Sequence, residues 1–133
     1  MPIRRLLGLS CLVLTIPGCA YYHEPPGGQF QKLSQIAHFP DFYPGLGTLY
    51  VQPDTMPIGP YYSYDRRGRL VNTIYMVPMR VLDDHAVIKM IEGTRLPVDH
   101  VVISYTAPHP GVEEPHYHII LWHVSAEAAA KVQ

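Results

Sequence analysis

Proline and glycine set the strongest limit on what this chain can fold into. The 133 residues include 14 prolines and 10 glycines, and runs such as Pro-Pro-Gly-Gly at 25–28 sustain neither a long helix nor a central strand. We therefore expect short elements joined by loops. The ten tyrosines suit half-buried strands and ligand-facing walls, because each combines an apolar ring with a polar tip.

The first residues have the organisation of an export signal. Arg4 and Arg5 precede an uncharged apolar run over 6–16, which is too short to cross a bilayer as a stable helix and is typical of a signal peptide. The run ends in Ile-Pro-Gly-Cys at 16–19, which resembles the lipobox of bacterial lipoproteins. An ordinary secretory signal with a chance cysteine is the alternative.

The lipobox resemblance implies where the protein is located. It implies removal of residues 1–18, acylation of Cys19 with fatty acids such as palmitate, and anchoring in the bacterial cell envelope, facing the periplasm or the exterior. Ala20 stands where sorting rules favour the outer membrane, if the bacterium is diderm. Several acyl chains give durable anchoring, since each buried methylene contributes about 0.8 kcal/mol.

Cysteine and charge exclude several classes of function. Cys11 is removed with the signal and Cys19 carries lipid, so no thiol remains for thiolate catalysis, an iron–sulfur cluster, a cysteine zinc site or an internal disulfide. The formal net charge is −1 and no basic stripe is visible, which argues against a nucleic-acid partner.

The pattern of elements predicts one α+β domain over 46–133, after a Pro/Gly-rich tether over 19–45. Two β-prone runs flank Asp-Arg-Arg-Gly at 65–68, which is a hairpin signal. A helical pattern follows over 80–93, then strands over 98–107 and 115–124, and a C-terminal helix capped by Ser125. We expect an antiparallel sheet with helices on one face, ferredoxin-like first and a small open β-barrel second, and a homodimer fits such a sheet.

The densest concentration of reactive side chains is the stretch HPGVEEPHYHIILWHV at 109–124. Side chains alternate along a strand, so His116 and His118 point to the same side, about 7 Å apart along the strand. Two imidazoles at this spacing can converge on one ion. His123 has the opposite parity and is expected to face the other way.

Polarity predicts how this strand pairs with the preceding one. The even positions His100, Ser104 and Thr106 form the more polar face of 98–107, whereas Val101, Ile103 and Tyr105 form the apolar one. Residues directly opposite in an antiparallel pair share a face. Matching polar to polar places His116 beside Thr106 and His118 beside Ser104, with His100 farther along.

These residues form a candidate site for zinc, copper, iron or manganese. The candidate ligands are His116, His118, His109, Glu114 and His100. A metal-free ligand or catalytic pocket is one alternative, and a purely structural role for the histidines is another. No nucleophile motif is present, so the sequence leaves open whether the protein is an enzyme.

Two family resemblances bear on this region. Gly111, His116 and His118 match the first cupin motif, but His123 takes the place of its glutamate and the second motif is absent. More broadly, about residues 44–125 resemble a small family of bacterial secreted proteins or lipoproteins of unknown function, whose distinctive element is Pro-His-Tyr-His near the C-terminus. This resemblance implies an extracytoplasmic single domain and no activity.

Two function classes follow. The first is an envelope-anchored protein with a histidine-rich metal site. The second is a non-enzymatic binding or assembly module of the envelope with a surface of tyrosine, tryptophan and histidine, whose histidines respond to pH. A structural role in the envelope without a small ligand is the plainest alternative. The small-molecule ligand is not indicated by the sequence.

Overall fold

The computed structural model describes residues 27–89, 91 and 93–133. The predicted signal peptide, Cys19 and the first part of the predicted tether lie outside these residues. Within the described ranges, no helix has the length and apolar character needed to cross a membrane.

The fold is an open six-stranded sheet in which every neighbouring pair is antiparallel. The strands are β1 (Gln31–Lys32), β2 (Thr48–Val51), β3 (Tyr61–Tyr64), β4 (Leu70–Pro78), β5 (His100–Thr106) and β6 (His116–Trp122). Their order in the sheet is β1-β2-β3-β4-β6-β5. Strand β6 therefore lies between β4 and β5, and β5 forms one edge.

The helices are short. They are α1 (Leu33–Ile36), a 3-10 helix (Pro53–Thr55), α2 (Met79–Asp83) and α3 (Ala126–Ala129). An antiparallel sheet with a few short helices is consistent with the predicted α+β class. The ferredoxin-like arrangement is not confirmed, because α2 is far shorter than the helix predicted over 80–93.

The apolar residues of the predicted helix over 80–93 include exposed ones. Leu82 is 48% exposed and Val87 is 74% exposed, so the predicted apolar stripe packs against little of the sheet. Short helices depend on such packing for their stability. The helix ends at Asp83, and His85 has a φ of 52°, which lies outside the right-handed helical region.

The predicted hairpin at 65–68 is confirmed. Gly68 has a φ of 75°, and its backbone N–H donates to the carbonyl oxygen of Asp65 at 3.0 Å. The carboxylate of Asp65 accepts from the backbone N–H groups of Arg67 at 2.9 Å and Arg69 at 3.0 Å. The turn that joins β3 to β4 is therefore fixed by one aspartate and one glycine.

The core includes residues that the sequence analysis placed in the tether. Leu33 of α1 is buried, and Phe39 and Tyr43 pack against the same cluster as Trp122. The described part of 19–45 thus contributes β1, α1 and core side chains to the domain. The predicted boundary at residue 46 lies inside the folded unit.

On strands β5 and β6, one face of the sheet lies against the core and the other is more exposed. Ile120 and Trp122, at even positions of β6, belong to the main core cluster. On β5 the odd positions are exposed, with Ile103 at 66% and Tyr105 at 58%. The polar face of β5 therefore lies on the same side as the core, and its apolar face is turned outward.

The candidate metal centre

His116 and His118 share the core side of β6, as their parity predicts. His116 is fully buried and His118 is partly buried. In the register of β5 and β6, Thr106 lies opposite His116 and Ser104 lies opposite His118, so the pairing predicted from polarity is confirmed. The Nε2 atoms of the two histidines are 3.0 Å apart.

His109 reaches the same place from the loop between β5 and β6. Its backbone forms two hydrogen bonds with Val112, of 3.0 Å and 2.9 Å, which close a tight turn around Pro110 and Gly111. Gly111 has a φ of 91°, a conformation that favours glycine. Val112 is buried in the core and thereby anchors the turn, so that the ring of His109 lies against the ring of His116, with centroids 4.9 Å apart.

The three histidines form a compact cluster. One ring nitrogen from each of His109, His116 and His118 can be chosen so that all three lie within 4.8 Å of one another. Two nitrogens bound to one tetrahedral zinc at 2.0–2.1 Å are separated by about 3.3 Å. The 3.0 Å pair is close to this value, and His109 supplies a third ring nitrogen within 4.8 Å.

Backbone carbonyls orient two of the three rings. The Nδ1 of His116 donates to the carbonyl oxygen of Glu114 at 2.8 Å, and the Nδ1 of His109 donates to the carbonyl oxygen of Pro110 at 3.0 Å. A carbonyl oxygen only accepts, so in the neutral imidazoles the proton is on Nδ1 and Nε2 is the unprotonated nitrogen. Histidine ligands of metals show this arrangement almost always.

Burial also keeps His118 uncharged. Its partly buried position, together with the neighbouring His116 and His109, lowers the pKa of His118 from 6.5 to about 4. A metal binds the neutral imidazole, so protons compete weakly for this nitrogen at neutral pH. The lowered pKa therefore leaves His118 in the neutral form that a metal requires.

Two of the five candidate ligands lie outside the cluster. His100 is opposite Trp122 in the register and its ring stacks on that indole, with centroids 5.9 Å apart. The side chain of Glu114 accepts from Nε of Arg80 at 2.9 Å, although its carbonyl oxygen orients His116. The structure thus brings together His109, His116 and His118.

His123 also lies apart from the cluster, as its parity predicts. Its Nε2 is 2.9 Å from Oγ1 of Thr73, and its Nδ1 donates to the carbonyl oxygen of Pro97 at 2.9 Å. Both ring nitrogens are therefore engaged in contacts that connect β4, β6 and the loop before β5. This histidine has a structural role.

A cavity of about 410 Å³ adjoins the cluster, and sequence reasoning did not find it. His109, His118 and Thr106 form part of its wall. The remaining lining comes from segments that are distant in sequence, including Leu33, Phe39, Leu49 and Met76. No local pattern signals that these segments meet, because their meeting depends on the sheet order.

Comparison with known proteins identifies a related protein whose structure has been solved. No protein-family model matches the chain, and no curated protein matches it. The crystal structure of a hypothetical protein, TTHB210, from Thermus thermophilus matches with 47% sequence identity and a TM-score of 0.63. The match covers 70% of this chain and 91% of the Thermus chain.

This chain belongs to the same family as the Thermus protein. At this identity and coverage the family relationship extends over nearly the whole of the Thermus chain. Since that relative is a hypothetical protein, membership brings no activity with it. The functional argument therefore rests on the geometry of the histidine cluster.

Proposed function

We propose that this protein is a lipid-anchored protein of the bacterial envelope that binds a divalent transition metal through His109, His116 and His118. The observation that carries the proposal is the convergence of three imidazoles within 4.8 Å, two of them oriented through Nδ1 by backbone carbonyls. The Nε2 atoms of His116 and His118 are 3.0 Å apart, close to the separation of two nitrogens bound to one ion.

The ligand chemistry narrows the choice of metal. All three donors are imidazole nitrogens, and the carboxylate of Glu114 is engaged with Arg80. Imidazole suits zinc, copper and iron, whereas manganese favours oxygen donors. Three histidines with one open position are also typical of zinc sites that bind a further ligand. We therefore expect zinc or copper to bind more tightly than manganese.

The envelope location is supported by the sequence. The apolar run over 6–16 followed by Cys19 resembles a lipoprotein signal, and an acylated cysteine would hold the domain at a membrane surface. In that setting the metal centre is available to ligands of the periplasm or of the exterior.

Metal content is the direct test. The full-length chain, extracted in mild detergent without chelator or histidine tag, is expected to contain close to one zinc or copper ion per chain. His118→Ala, and separately His109→Ala, should lose most of this metal while retaining the circular dichroism of the wild type. His100→Ala is the matched control and should retain the metal, because His100 lies beside Trp122 and outside the cluster.

Two results would contradict the metal proposal. One is a wild-type chain that remains metal-free after incubation with zinc and with copper. The other is equal metal content in the wild type and in a folded variant lacking His109 and His118.

A second candidate function, a non-enzymatic assembly module, is favoured by one observation. The outward face of β5 exposes Val101 at 49%, Ile103 at 66% and Tyr105 at 58%, and β5 is an edge strand. Exposed apolar edges are sites of pairing between chains. If a second copy of this chain covers the face, Ile103→Asp should lower the mass measured by light scattering, with metal content unchanged.

A further inference from the structure

The 410 Å³ cavity lies where the metal would leave a coordination position open. His109 and His118 line the cavity, whereas His116 is fully buried and lies behind them. Three histidine ligands leave one position of a tetrahedral ion free. Since two of the three proposed ligands line the cavity, a group held in the cavity is placed to reach that free position.

The wall of the cavity is apolar beyond the histidines. Its hydrophobic members include Leu33, Phe39, Leu49, Met56, Met76 and Val112. Among the described lining residues there is no aspartate, glutamate, lysine or arginine. The hydroxyl of Tyr61 donates to the carbonyl oxygen of Pro57 at 3.0 Å and is thereby occupied. A sugar or a nucleotide bound here would leave many polar groups unpaired, at a high cost in free energy.

The charge of a bound metal would make the end of the cavity beside His109 and His118 selective for an anion. Three neutral imidazoles leave both positive charges of a divalent ion uncompensated, and the nearby carboxylate of Glu114 is bound to Arg80. In an apolar setting an uncompensated charge is costly unless it is paired. An anionic oxygen donor on the incoming ligand supplies both the missing charge and the missing coordination bond.

The volume sets the size of the ligand. At about 30 Å³ for each water-sized atom, a cavity of this volume holds roughly 14 non-hydrogen atoms. It also falls within the range of ordinary small-molecule sites. A medium-chain carboxylic acid such as octanoate satisfies the size limit, whereas acetate leaves most of the apolar wall without contact.

We propose that the cavity binds a small monocarboxylic acid with an apolar body, whose carboxylate oxygen occupies the open metal position and whose hydrocarbon part contacts Phe39, Leu49 and Met76. This inference rests on the proposed metal centre and adds the chemical class of its ligand. Thr106, which lines the cavity opposite His116 in the register, is placed beside the carboxylate. Exposed residues such as His38 and Pro40 also line the cavity and form its opening.

Cobalt substitution tests the metal centre and the proposed ligand separately. The full-length chain is loaded with Co²⁺, whose visible absorption reports the number and type of its ligands, and is titrated with octanoate, with acetate and with octanol. We expect octanoate to change the cobalt spectrum and to bind up to about 4,000-fold more tightly than acetate, since its six additional methylenes each improve binding about fourfold when buried. Octanol, which lacks the anionic oxygen, should leave the spectrum unchanged.

Variants that fill the cavity test the position of the hydrocarbon part. Met56→Trp and Leu46→Phe each enlarge a lining side chain without altering a histidine, and should weaken octanoate binding at least tenfold while leaving acetate binding within twofold. Leu96→Phe is the matched control, because Leu96 packs against a different cluster of buried residues. Two cavity positions are used so that a failure to fold at one leaves the other informative.

The outcomes distinguish a failure of the metal centre from a failure of the ligand proposal alone. Absence of any cobalt spectrum overturns the metal centre, and the ligand proposal with it. A normal cobalt spectrum that octanoate does not change overturns the ligand proposal alone. Equal affinities for acetate and octanoate, or equal octanoate affinities in the wild type and in both cavity variants, also overturn it, because the apolar wall would then play no part.

Discussion

The Nε2 atoms of His116 and His118 face each other at 3.0 Å on the core side of one strand. Since Nδ1 of His116 donates to a backbone carbonyl, its Nε2 is an acceptor, and in the metal-free protein the Nε2 of His118 must donate to it. A bound metal ion would replace that shared proton with two coordination bonds. Protonation, stability and metal affinity of the domain would then be linked.

The free energy of unfolding of the metal-free protein should fall as the pH decreases from about 6.5 to about 4. The pKa of His118 is lowered from 6.5 to about 4 by burial and by His116 and His109, so in this interval the unfolded chain binds a proton that the folded chain does not. Urea denaturation across this range measures the slope. His118→Leu should show a flatter dependence, and an unchanged slope in that variant would refute the assignment.

Gly111→Ala should weaken metal binding and destabilise the fold. The left-handed backbone at φ 91° costs about 1–2 kcal/mol for alanine, and a Cβ there would lie 2.5 Å from a ring atom of Phe39. Because the turn holds His109, we expect a loss of metal affinity of about tenfold or more. Metal titration and urea denaturation measure the two effects.

Gly45→Ala is the control for this change. Gly45 has a similar φ of 82°, but nothing lies within 4 Å of the added Cβ. It should show the backbone cost without the loss of metal affinity. Equal metal affinities in the two variants would mean that the turn at Gly111 does not position His109.

Asp65→Ala should destabilise the domain and leave the metal centre intact. The carboxylate of Asp65 accepts two backbone hydrogen bonds and pairs with the side chain of Arg69 at 3.1 Å, so its loss should cost about 1–2 kcal/mol. Thermal denaturation measures the change. Asp83→Ala, at an exposed residue of α2, should have little effect, and a similar loss in both variants would contradict the role of Asp65.

Cys19→Ser should release the protein from the membrane. Without the acylated cysteine the domain lacks the chains whose burial would hold it at the bilayer. Fractionation of cells and the intact mass of the membrane-bound form measure this, and Cys11→Ser should still be membrane-bound because the proposed cleavage before Cys19 would remove residue 11. Retention of the Cys19→Ser protein in the membrane would contradict the lipoprotein proposal.

Local chemistry made part of this structure predictable. The hairpin at 65–68 followed from an aspartate that accepts backbone hydrogen bonds and a glycine that supplies positive φ. The facing of His116 and His118, and their register with Thr106 and Ser104, followed from the two-residue repeat of strands and from matching polar faces.

The extent of α2, the positions of His100 and Glu114, and the cavity depend on tertiary packing, which local sequence patterns do not show. Among the described residues of 80–93, the helix does not continue beyond Asp83, and Leu82, Val87 and Ile91 are exposed. Polarity grouped His100 and Glu114 with the other candidates, but stacking on Trp122 and pairing with Arg80 hold them elsewhere. The cavity was invisible for the same reason, since its walls meet only in the folded sheet.

The most direct test of the metal centre is anomalous diffraction from crystals of the zinc-loaded protein, measured on both sides of the zinc absorption edge. A zinc ion held by the cluster should give a strong anomalous peak about 2.0–2.1 Å from one ring nitrogen each of His109, His116 and His118. A peak bound by other residues, or no peak at these three histidines in crystals soaked in excess zinc, would contradict the proposed metal centre.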